Sequence, residues 1–256
     1  MDSTKISAII ITFNEEGNIE RCLQSLFDVA DEIIIVDSGS TDKTEEICKR
    51  FATKFVVRKW DNFSAQKNYA NSLASFDYVL SIDADEFLSD ELKKSILIKK
   101  EQLTGELHKH NAYNCNRLTF FYGKPIKHCG WYPDRKIRLF NRHKARWEGV
   151  VHEKLTFSET SPAELLSGDL LHHTTDNLYT QIEKINKYSD AYAIAAVANN
   201  KKANLFKVIF KPKFKFFNVY FLKLGFLDGW NGFLISCLSA LDVFLRLSKI
   251  RMYQKK

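Results

Sequence analysis

The sequence predicts an α/β fold: a mostly parallel sheet flanked by helices, followed by a C-terminal amphipathic helical appendage. Three observations predict it. The first hundred residues alternate short apolar, β-branched runs with segments of helical spacing, which implies right-handed crossovers and parallel strands covered on both faces. One run, Tyr78-Val79-Leu80-Ser81-Ile82, ends in Asp83 and Asp85, two carboxylates one residue apart where open α/β sheets place their ligands. Residues 201–256 carry twelve Lys and Arg against two acids, Asp228 and Asp242, a net +10 that leaves −3 for residues 1–200 of the total +7.

Ile6 to Thr12 is a continuous β-branched strand, and Glu16 to Phe27 is a helix with Ile19, Cys22, Leu23 and Leu26 on one face. Glu32 to Val36 is a second buried strand. Asp42 to Phe51 reads as a helix capped by Thr41 or Asp42, Phe55 to Val57 as a short strand, and Ala65 to Ala74 as a helix. After the Asp83-x-Asp85 strand, a helix covers Asp90 to Gln102. Strand-like aromatic and cationic segments follow at Ala112 to Tyr122 and Lys136 to Asn141. Leu178 to Ala198 is one long helix, and Pro212 interrupts what comes next. In the tail, Phe214, Phe217, Phe221 and Leu224 fall on one helical face, as do Leu234, Leu238, Leu241 and Leu245. The longest uncharged stretch there, Gly229 to Leu241, is 13 residues, short of the ~20 needed to span a bilayer, so these faces are expected to lie in an interface. Lysines among phenylalanines suit an anionic membrane surface and no nucleic acid. The competing expectation is that the faces pack on the rest of the chain or form a homo-oligomer.

The five cysteines form no C-x-x-C pair and sit in apolar patterns, as small buried thiols of a reducing compartment do. Met1-Asp2-Ser3-Thr4-Lys5 leads directly into a strand, so a cytoplasmic location is expected.

Asp83 and Asp85 can turn toward one hard cation, Mg²⁺ or Mn²⁺, whose remaining positions are filled by phosphate and water, so a diphosphate is the implied ligand. Thr12-Phe13-Asn14 offers a turn and polar side chains at the sheet's edge, and Asp37 ends the second strand, placed to accept from a uracil N–H or a ribose hydroxyl. The first turn lacks G-x-G-x-x-G, against a dinucleotide cofactor. Ser38-Gly39-Ser40-Thr41-Asp42 reads as a turn and cap, and Lys67 as a cation for a phosphate or for solvent.

Ile10-Ile11-Thr12-Phe13-Asn14-Glu15-Glu16, Ile35-Val36-Asp37-Ser38-Gly39-Ser40-Thr41-Asp42, Gln66-Lys67-Asn68 and Asp83-Ala84-Asp85-Glu86, in this order, resemble the family 2 glycosyltransferases of GT-A fold. Tyr132-Pro133-Asp134, Arg138-Leu139-Phe140, Val151-His152-Glu153, Leu171-His172 and Lys184-Ile185-Asn186-Lys187-Tyr188 are similar to a bacterial branch that includes lipopolysaccharide-core glucosyltransferases. Gly225-Phe226-Leu227-Asp228-Gly229-Trp230-Asn231-Gly232 extends the likeness into the tail.

The resemblance implies a GT-A domain over residues 1–200, with a nucleotide-sugar half (1–105) and an acceptor half (106–200), and a membrane-associating or oligomerising tail over 201–256. It implies that Thr12, Phe13, Asn14, Glu15, Asp37, Ser38, Gly39, Lys67, Asp83 and Ala84 bind the nucleotide-sugar, and that Asp85 ligates the metal with His172, His173 being adjacent. It further implies inverting transfer of a hexose, glucose in the first instance, from a UDP-sugar to a lipopolysaccharide-core or other glycolipid acceptor, peripherally on the inner face of the bacterial cytoplasmic membrane. Such a transfer needs a carboxylate to take the acceptor proton. The candidates are Glu153, preferred because the apolar Val150-Val151 stretch directs it and His152 adjoins it, then Asp134 and Glu148. Arg135, Arg138, Arg142 and Arg146, with Trp131, Tyr132 and Trp147, suit an acceptor bearing sugars and phosphates. Two other readings are a nucleotidyltransferase, against which the acidic Phe13-Asn14-Glu15-Glu16 turn argues, and a non-catalytic membrane-bound scaffold.

Overall fold

A computed structural model describes residues 4–52, 54–102, 112–149, 153–158, 163–173 and 177–254. The chain divides into two compact units. The first is Met1–Arg117 with Asp134–His173, the second Leu118–Pro133 with Thr174–Lys256. The expected boundary at residue 200 falls inside the second unit.

The first unit opens with β1 (Ile6–Thr12), α1 (Ile19–Leu26), β2 (Glu32–Asp37), α2 (Thr44–Lys49), β3 (Lys54–Val57), α3 (Phe63–Leu73) and β4 (Tyr78–Asp83). β5 (Glu86–Leu88), α4 (Asp90–Gln102), β6 (Ala112–Phe121), β8 (Asp134–Asn141), β9 (Ala145–Glu148), β10 (Lys154–Phe157) and β11 (Glu164–His173) follow, the end of β6, 118–121, and its partner β7 (Lys124–Pro125) belonging to the second unit. The main sheet runs β3-β2-β1-β4-β8-β6-β11-β5, parallel through β3, β2, β1 and β4, with β8 antiparallel to β4 and to β6. The chain winds outward from β1 through β2 to β3, then returns to put β4 on β1's other side. Strand order therefore reverses between β1 and β4, and a crevice opens there at the strands' carboxyl ends.

Period-two alternation covers both faces of this sheet, as the apolar runs predict. Ile6, Ala8 and Ile10 pack with Leu23 and Leu26 of α1 and with Leu92 and Ile96 of α4. Ile9, Ile34, Val36 and Val79 pack on the other side with Ala70 of α3, Phe140 and Trp147. Each fully buried isoleucine or leucine contributes about 2 kcal/mol. Cys22, Cys48, Cys115 and Cys129 are buried free thiols, and burial pushes the last three up to about 12.

The helix expected from Glu16 begins at Ile19, and two further helix starts differ from expectation for local reasons. The helix expected from Asp42 begins at Thr44, because Asp42 Oδ1 accepts from Thr44 N at 3.0 Å and Oδ2 from Glu16 N at 3.2 Å, tying the turn to the β1 loop. The helix expected from Ala65 starts two residues earlier, because Asn62 Oδ1 accepts from Ala65 N at 2.9 Å and caps it.

The second unit contains α5 (Leu178–Ala198), α6 (Leu205–Phe217) and α7 (Gly229–Tyr253), joined by a π turn at Asn218–Leu222 and a 3₁₀ turn at Gly225–Asp228. α5 and α6 both pack along α7. Pro212 does not interrupt: it lies inside α6, whose start is fixed by Asn204 Oδ1 accepting from Lys207 N at 2.9 Å. Leu224, with φ of 54°, ends the helical path, so it does not continue the face of Phe214, Phe217 and Phe221. The second expected face is half-buried. Leu234 and Leu238 pack on a core of Phe121, Ile126, Cys129, Val219 and Ile235. A Cβ on Gly232 would lie 1.8 Å from Gly225 O, so only glycine allows this crossing of the 3₁₀ turn over α7.

Candidate functional site

A cavity of about 690 Å³ occupies the crevice at the switch point. Strand register explains its walls. Thr12 is level with Asp37 across β1 and β2, and Ile11 with Asp83 across β1 and β4, so three neighbouring strands end together. Thr12, Phe13, Glu15, Ser38, Lys67, Asp83, Ala84, Asp85, Glu153 and His172 line the cavity with Ile11, Trp60 and Phe63. Asn14, Asp37 and Gly39 do not; they build its rim. Asp37, buried, accepts from the Gly39 and Ser40 amides at 2.8 Å each and from Ser40 Oγ at 2.5 Å. Asn14, at φ 53°, donates its N–H to Ser40 Oγ at 2.9 Å and accepts from Thr41 N at 2.8 Å. The two motif loops are thereby clasped together. Ser38 Oγ accepts from Gln66 Nε2 at 3.0 Å.

α3 holds Lys67 through its neighbour. Asn68 accepts from Trp147 N at 3.0 Å and donates to Trp147 O at 2.8 Å, fixing this turn of helix against β9. Lys67 is 3% exposed, its Nζ 3.0 Å from Asp83 Oδ1, 3.0 Å from Glu153 Oε1 and 4.7 Å from the Trp147 ring centre. It is a buried cation, not a solvated one. Asp83 Oδ2 accepts from Arg138 Nη2 at 2.8 Å. Burial alone would raise the Asp83 carboxyl, but Arg138 and Lys67 outweigh it and hold the group well below the usual carboxylate range.

Arg138, expected among acceptor-binding arginines, is instead buried between Asp83 and Glu86, 2.5 Å from Glu86 Oε1. Glu86 is fully buried and also accepts from Asp83 N at 3.2 Å. Burial pushes its carboxyl up, Arg138 offsets part of this, and Asp83 adds to it.

A two-residue turn, Ala84-Asp85, leads from β4 into β5, and β5 pairs antiparallel with β11, Glu86 opposite His172. This pairing brings His172 Nε2 to 3.2 Å from Asp85 Oδ2. Alternation along β11 turns His173 the other way, where its ring meets Arg21 and Phe87, although its N–H donates to Asp85 O at 3.1 Å. Carboxylate and imidazole on one wall fit a cation such as Mg²⁺ or Mn²⁺. Among the described residues no three His, Cys, Asp or Glu side chains form a cage, so such a cation would take its remaining ligands from diphosphate and water. Thr12 Oγ1 is buried at the cavity without a hydrogen-bond partner, a polar atom left for a ligand.

Of the three carboxylates considered for proton transfer, only Glu153 lines the cavity. Asp134 is engaged by Arg117 at 2.7 Å and Lys136 at 3.0 Å, and Glu148 lines a separate groove with His143 and Arg146. Val150, Val151 and His152 lie outside the described residues. Trp60 and Phe63, edge to face at 4.8 Å, were not anticipated in the wall. Their signal was present as two aromatics flanking the helix-capping Asn62, half-exposed beside a polar loop.

Fold and crevice define an α/β protein with a charged cavity at the sheet's switch point. The chain belongs to the family 2 glycosyltransferases, matching glycosyl transferase family 2 over residues 7–156. It is 32% identical to an uncharacterized glycosyltransferase of Rickettsia typhi, over 96% of this chain and 87% of that protein. It is 31% identical to the lipopolysaccharide core biosynthesis glycosyltransferase LpsC of Rhizobium meliloti, over 98% and 92%. Among solved structures, glucosyl-3-phosphoglycerate synthase from Mycobacterium tuberculosis, in complex with Mn²⁺, UDP and glucosyl-3-phosphoglycerate, superposes with a TM-score of 0.39 at 21% identity, over 55% of this chain and 57% of that one.

Proposed function

We propose that this enzyme moves a hexose, glucose in the first instance, from a UDP-sugar to a lipopolysaccharide-core or other glycolipid acceptor with inversion at the anomeric carbon, on the cytoplasmic membrane face. The observation that carries the reading is the convergence of Lys67, Asp83, Asp85, Glu153 and His172 on one cavity at the switch point. The lipopolysaccharide-core name of LpsC supports the acceptor class.

Thr12, Phe13, Glu15 and Ser38 take the base and ribose side, with Asn14, Asp37 and Gly39 holding the loops in shape. Asp83 and Ala84 face the ribose and diphosphate. Lys67 carries positive charge to the phosphates. Asp85 and His172 would hold a divalent cation, Mg²⁺ or Mn²⁺, which would neutralise charge on the departing diphosphate. Glu153 accepts the proton of the acceptor hydroxyl as its oxygen bonds to the anomeric carbon and the bond from that carbon to the diphosphate breaks, so UDP leaves and the proton stays on the carboxyl group. Sugar-phosphate acceptors would meet Trp60 and Phe63 across the cavity mouth.

The test is a donor screen by thermal shift with Mn²⁺, followed by UDP release in the presence of truncated lipopolysaccharide. A donor at 100 times its dissociation constant adds about 2.7 kcal/mol to stability. Stabilisation by nucleoside triphosphates alone, with no UDP released from any UDP-hexose, would point to nucleotidyl transfer instead.

A further inference from the structure

The second unit carries an apolar surface that the fold leaves uncovered. On α6 and the turn after it, Phe206, Phe210, Phe214, Phe217 and Phe221 follow one another at spacings of three and four residues, and all are exposed, Phe206 by 66% and Phe214 by 65%. Two pairs of rings within the row touch: Phe206 stacks on Phe210 at 4.3 Å and Phe217 lies 5.1 Å from Phe221. Tyr220 and Phe233 extend it to Trp230 at the start of α7, which is 72% exposed. A patch of this kind marks an interaction site.

Its charge identifies the partner. From Ala191 to Leu227 the chain contains seven lysines and neither Asp nor Glu. Lys207, Lys211, Lys213 and Lys223 are exposed around the phenylalanine row, and Lys213 Nζ lies 5.8 Å from the Phe210 ring centre. A second copy laid on this face would oppose lysines with lysines, whereas a bilayer bearing anionic headgroups supplies both an apolar layer for the rings and the missing negative charge. Among the described residues no helix is long and apolar enough to cross a membrane, so the contact is in-plane.

We infer that the Phe206–Phe221 row with Trp230 is a membrane-docking face that inserts into the headgroup boundary of an anionic bilayer, its lysines on the phosphates. This concerns the second unit alone and stands or falls independently of the donor and acceptor proposed above.

The test is flotation of the full chain with vesicles of phosphatidylglycerol and phosphatidylcholine in equal parts, against phosphatidylcholine alone. Strong binding to the first, weak binding to the second and loss with salt are expected. Replacing Phe206, Phe210 and Phe214 by Ser should lower partitioning about tenfold or more, and Lys211→Gln about fivefold, with circular dichroism and melting unchanged because these side chains are exposed. A second readout on the unaltered chain guards against misfolded variants: brominated lipid should quench a fluorescence component that Trp230→Phe removes. Equal binding of wild type and the serine variant, or absence of that quenching, overturns the inference. So does a chain that ignores anionic vesicles, whether it is monomeric or a dimer that the serine substitutions dissociate.

Discussion

The Lys67 ammonium and the Glu153 carboxylate meet at 3.0 Å across 86 positions of sequence, and the same nitrogen stands 3.0 Å from Asp83. One buried cation thus serves two acids, one at the end of β4 and one facing the cavity. In the proposed reaction an incoming diphosphate competes for that cation and releases Glu153 from it. Lys67→Met should weaken UDP binding by about 10- to 150-fold, the worth of a charged hydrogen bond. Calorimetric titration with UDP checks this, and unchanged affinity would remove Lys67 from the phosphate site.

Asp85→Ala should abolish transfer with the fold intact, since its side chain is partly exposed and its carboxylate meets His172 at 3.2 Å. Chelation of the wild type should have the same effect. His172→Ala should raise the Mn²⁺ concentration needed for half-maximal activity, as loss of one protein ligand does. Full activity of Asp85→Ala in EDTA is the result that excludes a metal there.

Glu153→Gln should keep UDP-sugar affinity near wild type and lower turnover by about 10²- to 10⁴-fold. Should Asp134→Asn lose turnover while Glu153→Gln does not, the proton acceptor is Asp134, and its ion pairs with Arg117 and Lys136 must open to admit the acceptor.

At the amino-terminal end of the strands, away from the crevice, Glu32 Oε2 accepts from Ser7 Oγ at 2.7 Å and Ser75 N at 2.9 Å, and Oε1 from Ser75 Oγ at 2.8 Å. Burial raises its carboxyl, but these bonds and Lys54 outweigh that and lower it below the usual value. A carboxyl depressed by folding stabilises the native state above its unfolded value and loses that contribution as the pH falls through the folded one. Glu32→Gln should therefore cost on the order of 1 to 2 kcal/mol at neutral pH, with the difference from wild type shrinking below about pH 4. Urea melts at pH 7 and pH 3.5 check this; a difference independent of pH means the carboxylate is not what matters. Activity at neutral pH should be unaffected.

Much of this architecture was legible because its signals are local. The β-branched runs of β1, β2 and β4 announce buried parallel strands, and α4 and α5 occupy the ranges their apolar spacing predicts. What escaped notice depends on partners distant in sequence. β5 is three residues long and exists as a strand because β11 pairs with it. Arg138 reads as one of several free arginines until Asp83 and Glu86 close around it. Pro212 would end an isolated helix, but Asn204 caps α6 and α7 supports its length. The two tail faces look alike as sequence, and only packing distinguishes the half-buried Leu234 and Leu238 from the exposed Phe214 and Phe217.

The β5–β11 pairing also sets a timetable. Asp85 and His172 are 87 positions apart, and their contact waits for β11 to reach β5, an edge strand with no other neighbour in the sheet among the described residues. On a ribosome adding ~5–20 residues per second, β1 to β4 and the loops they carry are available about 4 to 17 seconds before His172 is made. The nascent chain thus passes through an interval in which the crevice has its proposed nucleotide wall but half of its proposed cation pair, so the pair is completed by one of the last long-range strand pairings of this unit.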